Sequence, residues 1–242
     1  MKKVNGKCKL CQKDGQPLCH SHIIPEFFYK PTYDDQHEFI AISNHPGHKP
    51  KPFPKGFRES LLCDDCEGQL SIYETYTANL LRRPGDKFGP RDKVVRIPNF
   101  DYHKLKLFGL SLIWRCHVAQ RPLFKGVDLG PHAEKIRQLI VTKQPGTPSE
   151  YPFAIIKIAG ATSASRVMHT PSATRLNGHN AYLFLGYGYE WIFVISSHSA
   201  ELPKNHPFVG MKSDLEILLY HRSQQDFLQE MRRRMGNLID KP

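Results

Sequence analysis

Two Cys-x-x-Cys pairs, Cys8-Lys9-Leu10-Cys11 and Cys63-Asp64-Asp65-Cys66, constrain what this chain can fold into more than any other feature. Two residues between cysteines let the backbone curl around one ion. Each pair therefore supplies two thiolates, and the two pairs complete a tetrahedral set for zinc. Six cysteines in a secreted protein would point to disulfides, whereas matched pairs in a reducing cytosol point to metal. Cys8, Cys11, Cys63 and Cys66 are expected to hold one structural zinc ion. Fifty-one residues, 12 to 62, separate the pairs, longer than in a compact finger, so a folded segment must lie between them. Cys19 and Cys116 are left over, and Cys116, inside the apolar run 110–118, reads as a buried core thiol.

The second pair leads into EGQLSIYETYTANLLRR, a helical pattern whose apolar side is Leu70, Tyr73, Leu80 and Leu81. Zinc would staple an N-terminal knuckle to the first turn of that helix, which is the treble-clef layout. The intervening residues should form a β-hairpin, with Pro17 to Ile24 as one strand and Glu38 to Ser43 as the other. Arg83-Pro84-Gly85-Asp86 breaks the helix, and the strand-like VVRIPNF of 94–100 precedes a different kind of sequence. The reading is a zinc-stapled domain over 1–98 and an α+β domain over 99–242.

In the second domain, Tyr102 to Gln120 reads as a largely buried helix through Leu105, Leu107, Leu110, Leu112, Ile113 and Trp114. Pro131 to Thr142 reads as another. Apolar runs at 152–159, 181–186 and 190–196 read as strands of an antiparallel sheet, with a hairpin at Gly186-Tyr187-Gly188. Residues 214–238 read as a closing helix that ends in Arg232-Arg233-Arg234. The fold class is α+β.

A net charge of +11 over 242 residues attracts polyanions, nucleic acid being the most abundant. The excess is spread, +4 over residues 1–100 and +7 over 101–242, so it belongs to folded sequence rather than to a basic tail. Residues 45–57, HPGHKPKPFPKGF, read as an exposed basic loop. Lys49, Lys51 and Lys55 in it, Arg58 beyond it, and Arg232, Arg233 and Arg234 are the candidate phosphate contacts. No apolar run approaches the ~20 residues of a membrane span, and Met1-Lys2-Lys3 opens no apolar leader, so a cytoplasmic protein is expected.

Inside the staple lies Cys19-His20-Ser21-His22-Ile23-Ile24-Pro25. With CKLC at 8–11, SHIIP at 21–25, LLCDDC at 61–66 and Glu67 after it, residues 5–82 resemble the zinc-stapled members of the HNH endonuclease family, of the ββα-metal type. The resemblance implies a metal-dependent nuclease that hydrolyses phosphodiester bonds in nucleic acid, DNA above all, in the setting of a bacterial or phage defence system. His22 would be the general base, work suited to an imidazole that titrates near neutral pH. Mg2+ or Mn2+ would be the catalytic ion, with Glu67 where the family carries His or Asn as a ligand. Ser21 stands where the family's metal-binding Asp or His precedes the base, and Arg58-Glu59-Ser60 stands where an Asn-Leu is usual. Glu74, two helical turns beyond Glu67, offers a second carboxylate, and His20, His45 and His48 are further candidates. Each has a plain alternative: a core role for His22, a helix-terminus charge for Glu67, a solvated face for Glu74. The rival function is a silent zinc-stapled module that binds nucleic acid or protein, or a subunit that cleaves only with a partner engaged by residues 99–242.

Overall fold

In the computed structural model, residues 3–40, 52–84, 88–196, 208–223, 225, 226 and 229 are described. Strands β1 (Val4–Gly6) and β2 (Gln16–His22) open the chain, followed by a single helical turn, α1 (Glu26–Tyr29), and a short ladder of β3 (Phe39–Ile40) with β4 (Pro52–Phe53). Strand β5 (Arg58–Cys63) runs straight into helix α2 (Asp64–Arg82), with Cys63 at its N-cap and Asp64, Asp65 and Glu67 in its first turn, where negative charge is favoured. Strand β2 is the middle of a three-stranded antiparallel sheet, with β1 on one side and β5 on the other, Leu18 opposite Cys63, His22 opposite Arg58, and a register shift between Cys19 and His20. The expected hairpin partner, Glu38 to Ser43, is thus displaced. Phe39 and Ile40 pair with β4 instead, and residues 41–43 lie outside the described residues. The end of the expected loop turns inward, since Gly56 and Phe57 are buried and the Tyr29 hydroxyl accepts from the Phe57 amide at 3.2 Å.

Strand β6 (Val94–Pro98) precedes helix α3 (Tyr102–Val118), which Asp101 caps by accepting from the Lys104 amide at 3.0 Å. Every residue of α3 from Leu105 to Cys116 is buried, the signature of a helix enclosed on all sides. Helix α4 (His132–Val141) packs on it, as does α2. Strands β7 (Phe153–Ala159), β8 (His169–Leu176), β9 (His179–Gly186), β10 (Tyr189–Val194) and β11 (Asp214–His221) complete a six-stranded sheet with β6. Its order is β6-β11-β7-β10-β9-β8, antiparallel except where β11 runs parallel to β7, so the sheet is mixed. Tyr187 and Gly188, both at positive φ, turn β9 into β10.

The expected C-terminal helix is a strand over 214–221: Leu215, Ile217 and Leu219 are buried and their neighbours are not, a period of two. Helix α3 lies so close to the sheet that a Cβ on Gly109 would stand 2.7 Å from the Phe153 ring. Phe28 of α1 reaches across to Phe108, Phe184 and Trp191, so one cluster of buried side chains runs from Cys8 to Ile217 through both sides of residue 98.

Candidate functional site

The four cysteine Sγ atoms Cys8, Cys11, Cys63 and Cys66 lie within 4.8 Å of one another, with Cys11 and Cys63 3.8 Å apart. Zinc–sulfur bonds of ~2.3 Å at tetrahedral corners give edges of about 3.8 Å, so this donor set fits zinc. The first pair curls because Gln12 takes a left-handed φ of 64° and returns its amide to the Cys8 carbonyl at 3.0 Å. Lys9 N donates to the Leu61 carbonyl at 2.9 Å, tying the knuckle to β5. Burial opposes it, but the amides of Cys63, Cys11 and Leu10 hold the Cys8 thiol below its ordinary range. Arg137 of α4, paired with Glu134 at 2.7 Å, hydrogen-bonds the Leu10 carbonyl and so sets a cation beside the cysteine cluster. Among the described residues this is the one group of three or more Cys, His, Asp or Glu side chains close enough to share an ion. Cys19 stands apart, its Sγ 3.0 Å from Asp64 Oδ1, and burial with that carboxylate pushes its thiol up to about 11. Cys116 is fully buried.

At the end of β2 the alternation of a strand sends Ser21 to one face and His22 to the other. Ser21, 1% exposed, donates from Oγ to Glu67 Oε2 at 2.6 Å, so the residue before His22 and the residue after Cys66 touch. His22 is half-buried between opposite charges. Its Nε2 is 2.5 Å from Glu26 Oε2 and accepts from Arg58 Nε at 2.8 Å, while Arg58 Nη2 is 3.5 Å from Glu26 Oε2. One nitrogen cannot donate to Glu26 and accept from Arg58 together. The neutral ring bare at Nε2 satisfies Arg58, and the protonated ring satisfies Glu26. Burial first, then the Arg58 cation, lowers the His22 pKa against the pull of Glu26 and Glu74, so the ring is held as a proton acceptor. Tyr33 fixes Glu26 from the other side, its hydroxyl donating to Oε1 at 3.0 Å.

Glu74 points to Arg115 of α3, Nη1 to Oε1 at 2.6 Å, and the same Nη1 donates to the His22 carbonyl at 3.0 Å. Arg115 is 1% exposed and its Nη2 has no partner among the described residues. Glu74 is therefore the counter-ion of the guanidinium that holds the His22 backbone. Lys55 is exposed, Arg58 is engaged by His22, and Lys49, Lys51, His45, His48, Arg232, Arg233 and Arg234 lie outside the described residues. Sequence reasoning missed Glu26, four residues beyond His22, and the buried cations Arg115 and Arg137. No helix among the described residues is long and apolar enough to cross a membrane. Comparison with models of protein families, with curated proteins and with solved structures finds no match for this chain.

Proposed function

We propose that this protein is a phosphodiesterase of nucleic acid, an HNH-type endonuclease on a treble clef, with His22 as general base. The observation that carries the reading is the 2.6 Å contact of Ser21 with Glu67 beside His22, in a hairpin-and-helix unit closed by four cysteines. In the family that residues 5–82 resemble, the residue before the base and the helix residue after the second pair meet as ligands of the catalytic ion. Glu67 would be the carboxylate that holds Mg2+ or Mn2+, an ion that keeps several waters and shares its shell with substrate phosphate. Such an ion supplies charge neutralisation at the scissile phosphate. His22, neutral and backed by Glu26, takes a proton from the attacking water, and the protonated ring then gains the Glu26 carboxylate as its partner.

A second reading, a zinc-stapled nucleic-acid-binding module without catalysis, draws on a specific observation. Glu67 meets a serine rather than a second acidic or imidazole ligand, and Glu74 is taken by Arg115. Incubating supercoiled plasmid with purified protein and Mg2+ or Mn2+ separates the two. Nicking that stops on chelation and is lost in His22→Ala is expected. Intact plasmid under every metal tested, with DNA still bound, would select the silent module.

A further inference from the structure

Beside His22 lies a groove of about 550 Å3 that no part of the proposed chemistry uses. Lys9 comes from the zinc knuckle, His20 from β2, Arg58 and Leu61 from β5, and Arg121 and Pro122 from the turn after α3. The groove is built rather than incidental. The Glu59 carboxylate accepts from the amides of Gln120 at 3.0 Å and Arg121 at 2.9 Å, fixing the far wall. Arg121 donates to the Arg58 carbonyl at 3.1 Å and lies over the Phe57 ring at 5.6 Å. Glu59, itself in the lining, is thereby spent on backbone donors, and the basic residues Lys9, Arg58 and Arg121 line the space together with His20. The volume exceeds a phosphate and suits a nucleotide unit. Arg58 is common to the groove and to His22, since the residue whose Nε–H His22 accepts also lines the groove.

We propose that this groove seats one phosphodiester of a nucleic-acid strand and that the seated phosphate draws Arg58 off His22 Nε2. The proposal rests on the nuclease reading, and it adds that the second half of the chain, through Arg121, supplies part of the strand-binding surface. In the free protein the Nε2 lone pair is covered by Arg58. A phosphate oxygen is a stronger acceptor for a guanidinium than an imidazole nitrogen, because the hydrogen bond joins opposite charges. Its arrival takes the guanidinium off Nε2 only when a strand is in place, leaving Glu26 Oε2, 2.5 Å away, as the group beside that nitrogen.

The test is fluorescence anisotropy of a labelled 16-nucleotide duplex and single strand, with no divalent cation added so that nothing is cleaved, across a salt series. Lys9→Gln is the clean variant, since Lys9 Nζ has no partner among the described residues; zinc content and melting temperature accompany Lys9→Gln/Arg121→Gln. The double variant should bind at least about ten-fold more weakly at 100 mM salt, and its log–log salt slope should fall by about 0.7 to 0.9, one phosphate's worth. The 15N shift of His22 Nε2 should move when the wild type is saturated with strand. Unchanged affinity and slope in a folded double variant overturn the seat. So does inorganic phosphate or thymidine 5′-monophosphate that moves Nε2 while strands do not bind, which would make the groove a site for small phosphate esters. Absence of cleavage by wild type would leave these binding results standing, so failure of the nuclease reading and failure of the seat are told apart.

Discussion

His22 sits where a carboxylate and a guanidinium compete for one nitrogen, and that competition makes its titration measurable. If it is the base, His22→Ala should keep zinc and melt within a few degrees of wild type, because the staple is made elsewhere. Cleavage should fall about 10²- to 10⁴-fold. A variant that melts early yet still cleaves would sink the assignment. The base works when neutral, and burial together with Arg58 keeps it neutral at lower pH than an ordinary imidazole near 6.5. The acid limb of the pH–rate profile should therefore lie below that value. Arg58→Gln removes a charge that opposes protonation, so the limb should move to higher pH whatever happens to affinity; a profile that stays put means Arg58 does not tune the ring. The four cysteines were legible in the sequence because their paired spacing carries metal chemistry, and Ser21, His22 and Glu67 were singled out as candidates by the resemblance of residues 5–82 to a known family. Arg115 and Arg137 were not, because a charge inside SLIWRCHV or EKIRQLI has meaning only once its partners, Glu74 and Leu10, are known from far away in the chain.

At the scale of elements, the four-cysteine cluster joins the first knuckle to the start of α2, and a metal held there would contribute folding free energy directly. Cys63→Ser should give protein without stoichiometric zinc and with a lost or much lowered melting transition, while Cys116→Ser should retain about one zinc per chain by metal analysis. Zinc lost from Cys116→Ser would mean the ligands are wrongly assigned. Helix α3 carries a second measurable feature. Lys106 is buried, donates to the carbonyls of Glu150 at 2.7 Å and Tyr151 at 2.8 Å, and burial lowers its pKa to about 7 against the pull of Glu150. Above that value the folded chain holds the amine neutral while the unfolded chain keeps it protonated up to about 10.4. Stability tied to Lys106 therefore rises with pH from about 7, by at most ~1.4 kcal/mol per unit. The denaturation midpoint of wild type minus that of Lys106→Met should climb between pH 7 and 9; a flat difference rules the linkage out. Helices α2, α3 and α4 were readable from their helical patterns, and strands β7, β9 and β10 from apolar runs. Strand β11 was not, because eight residues of period two run straight into SQQDFLQEM, whose helical pattern was extended backwards over them. Strand β8 was missed although Asn177-Gly178, both at positive φ, mark the hairpin that joins it to β9.

Across the whole molecule, the staple and the sheet are tied together by polar contacts as well as by the shared apolar core. Arg115 reaches His22, Arg137 reaches the knuckle, Glu59 holds the turn after α3, and the Tyr189 hydroxyl donates to the Leu81 carbonyl at 2.8 Å. Coupling of this kind is invisible to local periodicity, which is why a change of sequence pattern near residue 98 was legible while these contacts across it were not. The sheet order has a further consequence in time. Strand β6 has β11 as its sheet neighbour, and β11 is also what joins β6 to β7. A ribosome adding roughly 5 to 20 residues per second leaves β6 waiting about 6 to 25 s after Pro98 for its partner. Throughout that interval the nascent chain can close its cysteine clamp yet leaves β6 without its partner, and from the synthesis of residues 153–159 onward β7 presents an unpaired edge as well. Stalled chains ending before residue 214 should therefore hold zinc but bind chaperones and aggregate. Translation speed between the codons for β6 and β11 becomes a determinant of yield that no equilibrium measurement on the finished protein would reveal.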